Sequence, residues 1–251
     1  MVNIAVCIKQ VPDTETKIKI NENKQWINEN EINFILNPYD ELAIEEGLKL
    51  KEANNGVVTI ISLGPERVAA SIRSALAMGA DKAIHIKSEK NPTDAMVVAK
   101  ALAEILKVGN YDIILTGKQA IDDDQAQVAA LLSEILAIPA VTVVTKLEIN
   151  DRQVVAHRQI EGGFEEVVCN LPVIVSAQRG LNEPRYASLK GIMTAKRIPI
   201  DEKNIPLSDD RILIREINYP PEKPAGKIVG QGAEAVPELI RLLREEAKVL
   251  P

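Results

Sequence analysis

Short apolar runs alternate with helical periodicity through the first 145 residues of the chain. The runs cover 4–8, 57–63, 83–86, 113–116 and 140–144. Between them, over 40–53, 65–78, 93–106 and 123–137, apolar positions recur three and four residues apart, the spacing of one helical face. Pro65 suits a first helical turn and Gly79 a helix end. Strand–helix–strand alternation predicts parallel strands joined by right-handed crossovers, hence an α/β fold with a doubly wound, three-layer, Rossmann-like sheet. Ligands of such sheets bind outside the carboxyl ends of the strands, where the strand order reverses. The loops after residues 7–9, after Leu63 and after Gly117 are expected to meet there.

The pattern changes in three places. Residues 17–28 read as a small hairpin inserted after the first strand, and Asn37-Pro38 leads from it into the first long helix. After Val144, the segments 146–149, 154–159, 165–169 and 173–176 read as an antiparallel meander with turns at Asn150-Asp151 and Glu161-Gly162-Gly163. From 198 to 232 the chain is Pro-rich without helical period, and 219–224 favours an extended form. Ile205, Leu207, Ile212, Leu213 and Ile214 in this arm have no evident internal core to join. The chain closes on an amphipathic stretch with Val236, Leu239, Ile240, Leu243 and Ala247 on one face. An ordered helix after a long arm implies a surface for the arm to lie on, and a partner subunit is the expected one.

Composition narrows the classes. The chain has 251 residues, 46% of them hydrophobic, enough for one large domain with an appendage. A net charge of −6 and no basic stripe with interleaved aromatics argue against nucleic-acid binding. No apolar run approaches the roughly 20 residues of a membrane span, and Met1 leads within two residues into the first strand, so a cytoplasmic protein without a targeting segment, or an already mature organellar chain, is expected. Cys7 and Cys169 lie in apolar runs and read as two buried thiols without metal-ligand spacing. His85 reads as a strand residue, and with His157 the only other histidine, hydrolytic nucleophile chemistry has little to work with. No catalytic residue and no metal site is expected.

The most informative stretch is Gly117-Lys118-Gln119-Ala120-Ile121-Asp122-Asp123-Asp124-Gln125-Ala126-Gln127. It joins a buried strand to a helix, and the N–H groups and positive dipole end of such a helix suit a phosphate. The loop is not Gly-rich and carries three acids, so it fits neither the Walker pattern nor Gly-x-Gly-x-x-Gly. Asp122 or Asp123 has an equally simple reading as a helix cap. A Mg²⁺ site is disfavoured, because three consecutive acids at a helix start cannot all face one ion.

Along essentially its whole length the chain resembles the electron-transfer flavoprotein beta subunits. The resemblance is strongest in Leu181-Asn182-Glu183-Pro184-Arg185-Tyr186-Ala187-Ser188-Leu189 with Ile192-Met193-Thr194-Ala195-Lys196, and in 117–124. Asn37-Pro38 and Ala75-Leu76-Ala77-Met78-Gly79-Ala80-Asp81 add to it. It implies an electron carrier and not an enzyme. It implies a heterodimer with an alpha subunit that holds most of one redox-active FAD. It also implies a structural AMP on this chain, acyl-CoA and related dehydrogenases as donors in fatty acid oxidation, and electron-transfer flavoprotein–quinone oxidoreductase as acceptor. By the same resemblance, Cys7, Asn37 and Leu63 would surround the adenine, while Gly117, Gln119, Ala120, Asp123, Ala126, Gln127 and Val128 would form the phosphate end. Residues 181–197 would be a recognition loop, with Tyr186, Leu189, Ile192 and Met193 docking on dehydrogenases. Two units follow: a nucleotide-binding domain over 1–196, and an arm with terminal helix over 197–251 that packs on the alpha subunit.

Several positions depart from the AMP-type pattern. Relatives often place Asn and Thr where this chain has Ala126 and Val128, which removes two side-chain partners for phosphate. At these positions the chain resembles electron-bifurcating relatives, which bind a second FAD in place of AMP. Those relatives typically carry Gly at the position of Asp123, and a carboxylate there would crowd and repel a diphosphate. Gln159 stands beside Arg158 where relatives have an acid, and Thr14 where some have an aromatic. A free-standing nucleotide-binding domain of the universal-stress type would not need the arm. A flavodoxin-like carrier is disfavoured by an aromatic content of 3%.

Overall fold

The computed structural model describes residues 2–222 and 225–251. Strands β1 (Asn3–Ile8), β4 (Val57–Gly64), β5 (Lys82–Lys87) and β6 (Ile113–Gly117) alternate with helices α1 (Pro38–Asn54), α2 (Ala69–Met78) and α3 (Ala95–Leu106), as the periodicity predicts. A two-stranded antiparallel pair, β2 (Gln10–Pro12) with β3 (Phe34–Leu36), carries the early insertion. Within the insertion, the hairpin is reduced to an isolated Ile20–Ile27 bridge, and Asp13 N donates to Asn33 O at 2.8 Å at its base. Helix α4 (Val128–Leu136) is followed by β7 (Ala140–Asn150), β8 (Gln153–Ile160), β9 (Gly163–Asn170) and β10 (Val173–Ala177). A short α5 (Leu189–Ala195), then β11 (Ile200–Lys203) and α6 (Val236–Glu245), complete the described elements.

One nine-stranded sheet runs in the order β11-β5-β4-β1-β6-β10-β7-β8-β9. Pairing is parallel from β11 to β7 and antiparallel from β7 to β9. Alternate strand residues feed two cores. Ile4, Val6, Ile60, Ile113 and Leu115 pack against Ile44 and Leu48 of α1 and Ile72 of α2. Their neighbours Ala5, Ile61 and Ile114 face the other way, towards Leu102 of α3 and Leu132 of α4. Gly47 lets α1 lie close to the sheet, since a Cβ there would stand 3.2 Å from Val6 Cγ2 and 3.3 Å from Leu115 Cδ1.

Several expectations are corrected. β7 is one continuous strand and does not end at Val144: its first half pairs with β10, its second with β8. The change of partner falls at a bulge where Val143 takes φ 62°, and Val143 N donates to Ser176 Oγ at 2.9 Å. Residues 173–176 belong to the parallel sheet, between β6 and β7, and not to the antiparallel meander. All five residues of β10 are buried, the signature of a strand covered on both faces. Helix α4 starts at Val128 and not near 123. Cys7 is buried, but Cys169 is only partly so, because β9 is the outer strand of the sheet.

The arm also differs from its reading. The sheet extends past residue 196, because β11 pairs in parallel with β5. Ile205 then joins the second core. Arg211 N donates to Asp94 Oδ2 at 2.8 Å, Ile217 N to Lys24 O at 2.7 Å, and Ile20 N to the Tyr219 hydroxyl at 2.9 Å. The arm therefore touches its own chain at several points between 200 and 219, while most of its described residues beyond 205 are exposed. The extended reading of 219–224 applies to 219–222, since Lys223 and Pro224 lie outside the described residues. Leu213, Ile228 and the Val236, Leu239 and Ile240 face of α6 remain exposed. No helix among the described residues is long and apolar enough to cross a membrane.

Candidate functional site

The strand order reverses at β1. From β1 the chain moves outward through β4 and β5, then returns to lay β6 on the opposite side of β1. That reversal opens a crevice beyond the carboxyl ends of β1 and β6. Cys7, Ile8 and Lys9 form one wall, Leu63 and 91–93 a second, and Thr116 to Ala120 with 125–129 a third. The cleft spans about 850 Å³ when its solvent-open mouth is included.

Asp40, in the first turn of α1, joins the two rims. Its buried carboxylate accepts from Lys9 N at 2.6 Å and from Gly117 N at 3.0 Å. Gly117 is required by the same closeness: a Cβ there would press on Asp40 Oδ1 and stand 2.8 Å from the Tyr39 backbone. Burial pushes the Asp40 carboxyl up from 3.8 to about 7, against the donated N–H groups, which favour the charged form. The folded chain therefore binds this proton more tightly than the unfolded chain. The stabilisation is fully present below about 4 and is lost as pH rises towards about 7. Asp40→Asn removes this titration, so its melting midpoint should fall less than the wild-type one between pH 5 and 8. The difference corresponds to a few kcal/mol, at about 1.4 kcal/mol per unit. Parallel pH series would refute the assignment.

The loop between β6 and α4 is held by side chains from three directions. Asn37 is buried behind it, with Nδ2 donating to Gln119 O at 2.9 Å and Oδ1 accepting from Ile121 N at 3.2 Å. This is why Asn37, although the residue before α1, makes no side-chain cap to that helix. Lys9 Nζ reaches Asp122 Oδ1 at 2.7 Å and Asp123 Oδ2 at 2.8 Å. Burial alone would lower the Lys9 pKa, but the two carboxylates outweigh it and hold the ammonium above its ordinary range. Gln125 Nε2 donates to Thr93 O at 3.0 Å and to Asp123 Oδ2 at 3.1 Å, and Gln119 Nε2 to Asp124 Oδ1 at 2.5 Å. Neither Asp122 nor Asp123 caps α4, whose N-cap is Gln127 without a side-chain bond. The backbone takes φ 49° at Asp124 and 52° at Ala126, a region costing a non-glycine residue roughly 1–2 kcal/mol and best suited to Asn or Gly.

Of the residues singled out from the sequence, Cys7, Leu63, Gly117, Gln119, Ala120, Asp123, Ala126, Gln127 and Val128 line the cleft. Asn37 supports it from behind. Sequence reading gave no role to Lys9, Asp40 or Thr93. Lys9 carried a signal, as a charged residue directly after an apolar strand; Asp40 read only as a helix start. The cleft pairs apolar walls at Ile8, Leu63, Val98 and Leu102 with polar groups at its rim. Thr116 Oγ1 lines it and, among the described residues, is buried without a hydrogen-bond partner. Such a lining offers apolar walls to a flat ring and polar groups to its substituents. Cys7 offers no nucleophile, since burial raises its thiol to about 12. No cluster of potential metal ligands occurs among the described residues.

Tyr186, Leu189, Ile192 and Met193 lie apart from the cleft, on and before α5, and all four are exposed. Ser188 caps α5, its Oγ accepting from Gly191 N at 3.0 Å. Gly191 lets this short helix sit on the end of α2, because a Cβ would collide with Ala77 O. The preceding segment is tied to α1. Asn182 Nδ2 donates to Leu42 O at 3.0 Å and Glu46 Oε2 at 2.9 Å, and Arg185 forks onto Glu45 at 2.8 and 2.9 Å. The helix that braces the cleft at its first turn thus also carries the exposed apolar segment.

A family model described as the electron transfer flavoprotein domain matches residues 25–208. The chain is 42% identical over 258 residues to the electron transfer flavoprotein subunit beta of Bacillus subtilis, covering 99% of this chain and 100% of the relative. It is 38% identical to the subunit beta of Syntrophomonas wolfei, over 98% of this chain and 97% of that one. The mitochondrial subunit beta of Arabidopsis thaliana is 34% identical, over 98% of this chain and 99% of that one. With a family model over most of its length and full-length matches across such distant sources, this chain belongs to the electron transfer flavoprotein beta subunits.

Proposed function

We propose that the chain works in the cytoplasm as one half of a heterodimer, with an alpha subunit that holds most of a redox-active FAD, and that its own cleft binds a structural AMP. The heterodimer carries electrons from dehydrogenases, such as those acting on acyl-CoA, to a quinone-reducing acceptor. FAD supplies the redox chemistry. This chain supplies the scaffold and, through Tyr186, Leu189, Ile192 and Met193, the docking segment. The adenine would lie against Cys7 and Leu63, with Asn37 bracing the loop and the phosphate near 117–128.

The observation that carries AMP over a diphosphate is Asp123. Its carboxylate lines the cleft and is tied to Lys9 beside a second acid, Asp122. One anionic group can share that ammonium, whereas a second phosphate would meet the carboxylates directly. Ala126 and Val128, which offer no side-chain donor, favour the other reading, a second FAD in an electron-bifurcating flavoprotein. Nucleotides released from the denatured heterodimer decide between them. FAD and AMP in equal amounts are expected; two FAD per heterodimer without AMP would place the chain in the bifurcating group.

A further inference from the structure

We infer that Lys9 is the residue that makes the cleft accept an anion: it offsets one of the two charges of Asp122 and Asp123 and presents its remaining N–H to the phosphate of a nucleoside monophosphate. The inference rests on the nucleotide reading above and deepens it by giving one lining residue, Lys9, a defined role towards the phosphate.

Three observations carry it. First, the root of the side chain is fixed on both sides. Lys9 N donates to Asp40 Oδ2 at 2.6 Å, and Lys9 O accepts from Asn37 N at 3.0 Å. Second, the ammonium has three donors, and two are used at 2.7 and 2.8 Å by the carboxylates. Third, the other lysine lining the cleft, Lys118, lies 5.5 Å from the Tyr39 ring centre, over its face. Without Lys9, Asp122 and Asp123 at the rim would present a double negative charge to any phosphate instead of a single one.

The charge argument makes a prediction that a purely structural role does not. The base and ribose do not sense the triad; the phosphate does. Heterodimer stripped of bound nucleotide is titrated with AMP and with adenosine by calorimetry. Lys9→Met should weaken AMP by about tenfold or more, or about 1.4 kcal/mol, while adenosine binding changes by less than about twofold. Adding Asp122→Asn and Asp123→Asn to Lys9→Met should return AMP affinity towards wild type. Should Lys9→Met not assemble, Lys9→Arg keeps the charge and should retain the wild-type ratio of AMP to adenosine affinity. Equal loss of both ligands, or no loss of either, would overturn the inference while leaving the nucleotide reading in place. A wild-type heterodimer that binds neither ligand would overturn the nucleotide reading and this inference with it.

Discussion

Arg185→Ala is expected to destabilise the fold by about 3–5 kcal/mol, because it leaves a buried carboxylate without its counter-charge. Glu45 is almost fully covered on α1, and Arg185 grips it with Nε at 2.8 Å, Nη2 at 2.9 Å and its backbone N at 3.1 Å. Glu52, which takes the other side of the guanidinium at 2.5 Å, is exposed and loses little. At about 2–4 °C per kcal/mol for a chain of this size, the melting midpoint should fall by on the order of 10 °C. Glu45→Gln added to Arg185→Ala should recover part of the loss by removing the stranded charge. Arg185→Lys should recover less than the charge alone suggests, since an ammonium cannot reproduce the two parallel bonds. Thermal melts of the three variants test this. A fall of only a degree or two for Arg185→Ala would mean that water reaches Glu45 and the clamp is a surface pair. Limited proteolysis adds a local readout: cleavage within 181–188 should accelerate in Arg185→Ala.

Leu189→Ala is expected to leave the melt unchanged and to weaken dehydrogenase docking about thirtyfold. Leu189 is the first residue of α5 and 85% exposed, so truncation opens no cavity. Surface changes of that kind stay within about 0.5 kcal/mol. An exposed apolar anchor that fills a partner's pocket is worth about 2 kcal/mol or more on truncation, and at 1.4 kcal/mol per decade that is roughly thirtyfold. Dehydrogenase-dependent flavin reduction at varied carrier concentration reads the effect as a raised KM, alongside AMP content and heterodimer assembly, which should not change. If transfer is unaffected, the segment carried by α5 is not the docking site. The contrast with Arg185 is informative: one residue holds the segment, the other is what the segment presents.

The difference between these variants was not visible in the sequence, although both residues lie in its most distinctive stretch. Leu189 stood out through the family resemblance, as a docking residue. Arg185 looked like one more charged residue, since its partners Glu45 and Glu52 lie 140 and 133 positions away. The same holds in the cleft. The strand ending at Gly117 and the loop after it were legible from an apolar run followed by small and polar residues. That Lys9, Asn37, Asp40 and Thr93 all reach that loop was not.

The sequence by itself determined the layers. Apolar runs between helical periods specify strands covered on both faces, and that alternation yields the doubly wound sheet from β1 to β6. It also determined that the loop after β6 would differ from a glycine-rich phosphate loop. Only the tertiary structure decided where β10 goes, that β7 runs through a bulge from one pairing to the other, and that the start of the arm returns to the sheet. It alone joined Lys9 to Asp122 and Asp123, and Asp40 to both rims. Periodicity records which face of a segment is buried, a property of neighbouring residues. It does not record which distant segment covers that face, because strand order and side-chain pairing depend on how the whole chain closes its core.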